Sequence, residues 1–343
     1  MDQQLIVAIL VVTLALFFNL SNGLNDSANQ VATVISCGAL SPAVAVGLAA
    51  LADFAGSYFL GTNVAKTIGK GIVDPELMRA SRIGVFVIYS AILGALSWNL
   101  AAWYMGLPSS SSHALIGGLL GAFISGWGFH TVQWMNVFYI VLAMLLSPIF
   151  GFLITYLFTK ITFFFSQYFG PKVNEAFKKV QVLSLIGQSL AHGTNDGQKS
   201  MGIIVFALLV LNFHKPSVPE GFVPHWVVLA CSLALSFGIL LGGPRLVRKL
   251  GVGLFRVRPI HAFASQSASA GVMYAASLLG FPVSTTQVIS SSILGAGAAF
   301  RPKAVRWAVA GDMSVAWLIT IPASAIIAST AFYAGRFVFG LWL

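Results

Sequence analysis

The chain has 343 residues, of which 57% are hydrophobic and only 8% charged, and its formal net charge is +10. Soluble domains carry about 25% charged residues, so a mean hydropathy of +0.88 excludes a soluble enzyme, and the basic excess does not mark a nucleic-acid binder. The positive charge lies in short loops between apolar stretches, where it reads as a topology signal facing the cytoplasm.

The first apolar stretch, Leu5 to Leu20, is uncharged and long enough to enter a bilayer. The residues ahead of it include Asp2 and neither Lys nor Arg, which predicts a true span rather than a cleavable leader. Asn22-Gly23-Leu24-Asn25-Asp26 follows, and Asp53 interrupts a second apolar run. A basic loop holds Lys66, Lys70, Arg79 and Arg82. From Ile83 to Thr159 there is no Asp, Glu, Lys or Arg, and this stretch contains Gly106-Leu107-Pro108-Ser109-Ser110-Ser111-Ser112-His113. A charged segment at 161–182 then divides the chain into an N-terminal repeat, 1–160, and a C-terminal repeat, 183–343. The second repeat opens on His192-Gly193-Thr194-Asn195-Asp196, passes a basic cluster from Arg245 to Arg258, and reaches Gly280-Phe281-Pro282-Val283-Ser284-Thr285-Thr286-Gln287. Arg301, Lys303 and Arg306 form the last basic loop. The expected fold is an all-α polytopic membrane protein with roughly ten to twelve membrane segments. Cys37 and Cys231 lack metal-ligand spacing and read as small core residues.

The two Pro-Ser strings lie about 174 residues apart in one register and run on to Gly121-Ala122 and Gly295-Ala296. Paired, Gly/Pro-interrupted polar segments in a membrane chain point to a transporter binding site between two related halves. The loop at 126–133 has no Lys or Arg, whereas its counterpart at 301–306 has three. That asymmetry favours inverted halves, although the loops at 66–82 and 245–258 are both basic.

Each Pro-Ser string has the chemistry of a helix start. Pro suits the first turn, Ser is a preferred N-cap, and the following apolar run spans about half a bilayer. Ser109 to Ser112, with Ser284, Thr285 and Thr286, therefore open two half-helices whose free N–H groups, hydroxyls and positive dipole ends favour an anion. Asn25 and Asn195 add amide carbonyls that can accept from a protonated oxyanion. The Asn-Asp strings put carboxylates at membrane depth, where they are functional by default. Gly23 and Gly193 would allow a broken backbone there. Asn22, Asn25, Asp26, Asn195 and Asp196 together make a hard-oxygen set suited to a small hard cation. Asp53 and His113 are candidates for coupling, while His192 reads as structural. Lys199 could pair with Asp196 or reach an interface. A serine hydrolase is disfavoured, because Ser112 and His113 are adjacent and do not face each other on a helix.

These four motifs resemble the inorganic phosphate transporter (PiT) family, in its prokaryotic form with a short central loop. The matched strings are Gly23-Leu24-Asn25-Asp26, Gly193-Thr194-Asn195-Asp196, Pro108 to His113 and Pro282 to Gln287. The resemblance implies inverted repeats and phosphate uptake across the cell (inner) membrane of a prokaryote, driven by Na⁺ or H⁺; sulfate permeases are similar. Asp53 and Gln266 stand where the family often has Glu, and Gln287 where it has a second His. Losing titratable groups at Gln266 and Gln287 favours Na⁺ over H⁺ as the coupling ion. No other cofactor is expected. The expected partners are phosphate, Na⁺ and the lipid bilayer, and a homo-oligomer is compatible with the sequence.

Overall fold

A computed structural model describes residues 3–75, 82–105, 107, 109–170, 173–214, 222–250 and 257–338. Among them are eleven α-helices and no strand. Pro108, at the head of the first Pro-Ser string, lies outside the described residues. The first repeat contains α1 (Gln3–Ser36), α2 (Pro42–Phe59), α3 (Asn63–Lys70), α4 (Arg82–Met105), α5 (Ser111–Trp127) and α6 (Trp134–Ser166). The second contains α7 (Val173–Val210), α8 (His225–Leu250), α9 (Pro259–Leu278), α10 (Thr285–Phe300) and α11 (Trp307–Val338). The helical pair α2–α3 of the first repeat is matched by one unbroken helix, α8, in the second.

Among the described residues, six helices are long and apolar enough to cross a membrane: α1, α2, α4, α6, α8 and α11. The 38-residue α7 is too polar to join them, and from Ser184 to Ser200 its polar residues are buried in the protein instead. Adding α7, α9 and the half-helices α5 and α10 brings the membrane segments into the expected range. The junction between repeats is shorter than the charge pattern suggested. Helix α6 runs to Ser166 and α7 starts at Val173, so most of the 161–182 segment is helical.

Helices α5 and α10 have 17 and 16 residues, about 25 Å at 1.5 Å per residue, which is less than a bilayer. Each starts at the predicted string. Ser110 caps α5 by accepting from the His113 N–H, and Ser284 caps α10 by accepting from the Gln287 N–H. The two helices meet at their first turns, where the Ser112 hydroxyl donates to the Val283 carbonyl at 2.8 Å. Their bodies do not pack along one another. Half-helices that start together and diverge run toward opposite membrane faces, which is the geometry of inverted repeats.

The repeats are interlaced. Helix α5 packs on α11 and α10 on α6, while α1 packs on α8 and α7 on α2. Glycine makes these approaches possible. A Cβ on Gly121 would stand 2.2 Å from the Ala325 carbonyl, and one on Gly295 would stand 2.3 Å from the Phe152 carbonyl. Both long C-terminal spans carry an internal proline, Pro148 in α6 and Pro322 in α11. The Met144 carbonyl that Pro148 cannot serve accepts instead from the Ser147 hydroxyl at 3.1 Å.

The diverging half-helices place the turns that follow them on opposite sides of the membrane. Cysteines introduced at the exposed His130 and Lys303 positions, labelled in intact cells with an impermeant maleimide, should react from opposite faces. Labelling of both from one side would make the repeats parallel.

Candidate functional site

The Asn-Asp strings do not break their helices. Helix α1 is continuous through Asn22–Asp26 and α7 through His192–Asp196. The glycines serve close packing rather than unwinding: a Cβ on Gly23 would lie 2.1 Å from the Leu235 carbonyl, and one on Gly193 would lie 2.1 Å from the Asp53 carbonyl. These contacts draw α8 against α1 and α2 against α7, so Asp53 arrives beside the motif of the other repeat.

The Asp26 carboxylate is held by the half-helix of the other repeat, and Asp196 by groups from both repeats. Asp26 Oδ1 accepts from the Thr286 hydroxyl at 2.7 Å and from Asn29 Nδ2 at 2.9 Å. Asp196 Oδ1 accepts from Lys199 Nζ at 2.6 Å, and Asp196 Oδ2 accepts from Asn22 Nδ2 at 2.7 Å and the Thr285 hydroxyl at 3.2 Å. Lys199 also donates to the Ser112 hydroxyl at 2.5 Å and the Val283 carbonyl at 2.9 Å. Asp26, Asp196, Ser112, Thr285 and Thr286 are all buried. Within one structure, then, residues 22, 26, 112, 196, 285 and 286 converge as the sequence suggested.

His192 stands at the centre of this cluster rather than at its margin. Its Nδ1 lies 2.6 Å from Asp53 Oδ1 and 3.0 Å from Gln30 Nε2. Its Nε2 faces Asp26 Oδ2 at 3.6 Å and Asp196 Oδ2 at 3.7 Å. Three buried carboxylates thus surround one imidazole, and ligand atoms of Asp26, His192 and Asp196 lie within 4.8 Å of one another. The sequence signal for this role was present: His192 lies four residues, one helical turn, before Asp196, on the same face of α7. Asp53 belongs to the cluster. His113 does not share its contacts; the ring bonds Ser110 Oγ at 2.9 Å and lies 3.5 Å from the Gln287 amide. There it borders a largely apolar cavity of about 550 Å³ between α6 and α11.

The remaining predicted residues divide by role. The Asn195 side chain is engaged with the turn ahead of α10. Its Oδ1 accepts from the Val283 N–H at 3.1 Å, and its Nδ2 donates to Ser277 Oγ at 2.9 Å and the Phe281 carbonyl at 3.1 Å. Asn25 is half-buried on α1, and Ser109 is half-buried just before the α5 cap. Ser111 is buried in the first turn of α5, while the Ser110 and Ser284 hydroxyls are engaged in capping.

The donor set fits a small hard cation. On α1, Asn22 Oδ1, Asp26 Oδ2 and Gln30 Oε1 are buried oxygens without a hydrogen-bond partner among the described residues. They recur every fourth residue along one face. A buried acceptor left unpaired is costly, and a hard cation is the ligand that oxygen acceptors of this kind suit. Beside them, the first N–H groups of α5 and α10 have no partner within their own helices, and two positive dipole ends converge. The site therefore sets a row of buried oxygen acceptors beside two helix N-termini.

The model of the Phosphate transporter family matches the chain over residues 22–168 and 164–328. The chain is 41% identical over 340 residues to a probable low-affinity inorganic phosphate transporter of Bacillus subtilis, covering 99% of this chain and all of that protein. It is 40% identical over 341 residues to a protein of the same description from Rhizobium meliloti, covering 98% of this chain and all of that one. Among solved structures, one described as the sodium-dependent phosphate transporter shares the fold, with a TM-score of 0.85 over 98% of this chain and 100% of its own at 23% identity. The relatives are transporters rather than enzymes, and this chain is a multi-pass membrane protein belonging to the phosphate transporter family.

Proposed function

We propose that the protein is a Na⁺-coupled symporter that carries inorganic phosphate across the cell membrane of a prokaryote by alternating access. One observation carries this reading: two half-helix N-termini meet beside two buried carboxylates, one from each repeat. The helix ends and their hydroxyls recognise the anion. Asp26, with Asn22 beside it, holds the cation. The two ligands depend on each other, because an unneutralised carboxylate at membrane depth would repel phosphate. The sodium dependence of the structural neighbour supports Na⁺ as the ion. Movement of one repeat against the other would open the site to either side, since half of each binding element belongs to each repeat.

Phosphate is distinguished from sulfate by its proton, which the carbonyl of Asn25 can accept. Asp53 and Gln30 act indirectly, by orienting His192 between the two motif carboxylates. Replacing Asp53 by Asn removes a charge-assisted hydrogen bond from a buried network and should destabilise the protein by about 1–3 kcal/mol, measured by thermal unfolding in detergent.

Purified protein in proteoliposomes should accumulate radiolabelled phosphate when an inward Na⁺ gradient is imposed, with arsenate competing. Coupling is reciprocal, so Na⁺ should tighten phosphate binding and phosphate should tighten Na⁺ binding by one factor. Thr286→Ala and Ser111→Ala should each weaken phosphate binding by about 1–3 kcal/mol, the loss of a hydrogen bond to a charged group. Asp26→Asn should abolish the Na⁺ response, since it keeps the shape and loses the charge. Equal phosphate affinity in Na⁺ and choline, with uptake following an imposed pH gradient, would replace Na⁺ by H⁺. Sulfate uptake that phosphate does not inhibit would overturn the substrate.

A further inference from the structure

The two repeats place corresponding groups around their motif carboxylates, with one difference in charge. Three residues after Asp26 stands Asn29, which donates to Asp26 and lies 3.4 Å from the Thr286 hydroxyl. Three residues after Asp196 stands Lys199, which donates to Asp196 and to Ser112, the residue that matches Thr286 in the other Pro-Ser string. An uncharged amide in one repeat is thus an ammonium in the other. Lys199 is only 2% exposed, and its three N–H donors meet three oxygens: a carboxylate, a hydroxyl and a backbone carbonyl. That is the oxygen set a small hard cation would take.

The consequence appears in the carboxylates. Both oxygens of Asp196 are hydrogen-bonded, Oδ1 by Lys199 and Oδ2 by Asn22 and Thr285. Asp26 Oδ2 has no hydrogen-bond partner among the described residues. His192 Nε2 faces both carboxylates, at 3.6 Å from Asp26 and 3.7 Å from Asp196, so the difference between them is the Lys199 ammonium, which only Asp196 has.

We propose that Lys199 is a tethered cation that takes the place of one coupling ion, so that only the Asp26 side binds exchangeable Na⁺. This rests on the cation-coupled reading of the site and assigns its stoichiometry. A buried ammonium on a helix cannot exchange with solvent ions, whereas its replacement by the Asn that the first repeat uses leaves Asp196 with an uncompensated charge and an open set of oxygens. Lys199→Asn should therefore create a second Na⁺ site. Conversely, Asn29→Lys should place an ammonium on Asp26 and remove the first.

Thermal unfolding of the purified protein in detergent, titrated with NaCl against choline chloride at constant ionic strength, reads these sites without requiring transport. At about ten-fold Na⁺ excess over the dissociation constant, each site should raise the midpoint by on the order of 2–4 °C. Lys199→Asn should gain one such step over the wild type, and Asp196→Asn combined with Lys199→Asn should lose it again. Asn29→Lys should lose the wild-type step. A folded Lys199→Asn protein with the wild-type Na⁺ response overturns the proposal. If that variant does not fold, an unchanged Na⁺ response in Asn29→Lys overturns it instead. The outcomes separate from those of the symport reading: a wild type that responds to neither Na⁺ nor phosphate refutes symport, whatever the variants do.

Discussion

A carboxylate inside a membrane must find its partners within the protein, because there is no water to supply them. Three such carboxylates, Asp26, Asp53 and Asp196, lie together in this molecule, and much of the architecture follows from satisfying them. No single helix can do so. Each draws on both repeats: Asp26 on Thr286 of α10 and its own Asn29, and Asp196 on Asn22 of α1, its own Lys199, which also bonds Ser112 of α5, and Thr285 of α10. This requires the half-helices to begin at the centre of the membrane rather than at its surface. It also requires the helix pairs α1–α8 and α7–α2 to approach closely, which explains glycine at positions 23 and 193 inside otherwise unbroken helices. Interlacing of the repeats is thus the structural expression of an electrostatic need.

The same arrangement makes the site responsive. Hydroxyls that donate to the carboxylates are those placed to donate to an oxyanion, as with Thr285 and Thr286. A cation taking over the carboxylate charge would release them toward phosphate. Binding of the two ions is then linked through shared donors, without a pathway of intervening residues, and the coupling energy of such linkage is commonly about 1–3 kcal/mol. The repeats are similar in backbone but not in charge. Lys199 and His192 in α7 correspond to the uncharged Asn29 and Asn22 in α1, so the pseudo-symmetric site is electrically lopsided.

Much of this was legible in the amino-acid order. The Pro-Ser strings located the starts of α5 and α10, because serine capping is a local effect that sequence states directly, although Pro282 stands two residues ahead of the α10 cap rather than in its first turn. The Asn-Asp strings located the carboxylates for the same reason: charge in an apolar run is conspicuous. Tertiary relations were less legible. Gly23 and Gly193 read as places where a helix could break, since glycine's backbone freedom is visible in sequence whereas the carbonyl of a neighbouring helix is not. His192 read as structural because its three carboxylate neighbours come from α1, α2 and α7, and only the fold brings them together. The charged segment 161–182 read as a loop because charge suggests solvent, but α6 and α7 extend through most of it, carrying those charges on helical ends beyond the apolar spans. Asn195 was grouped with ligands, while its amide holds the 281–283 turn in place.

The central claim is that the Asp26 carboxylate of the first repeat works through the half-helix of the second. A double-mutant cycle between Asp26 and Thr286, read as Na⁺-dependent phosphate affinity, tests it most directly. The account predicts strong non-additivity: Asp26→Asn and Thr286→Ala should each lose the Na⁺ enhancement, and the double variant should lose little more than the worse single one, a coupling of about 0.5–3 kcal/mol. Strictly additive losses would mean that the two residues act independently, and the cross-repeat site would be wrong.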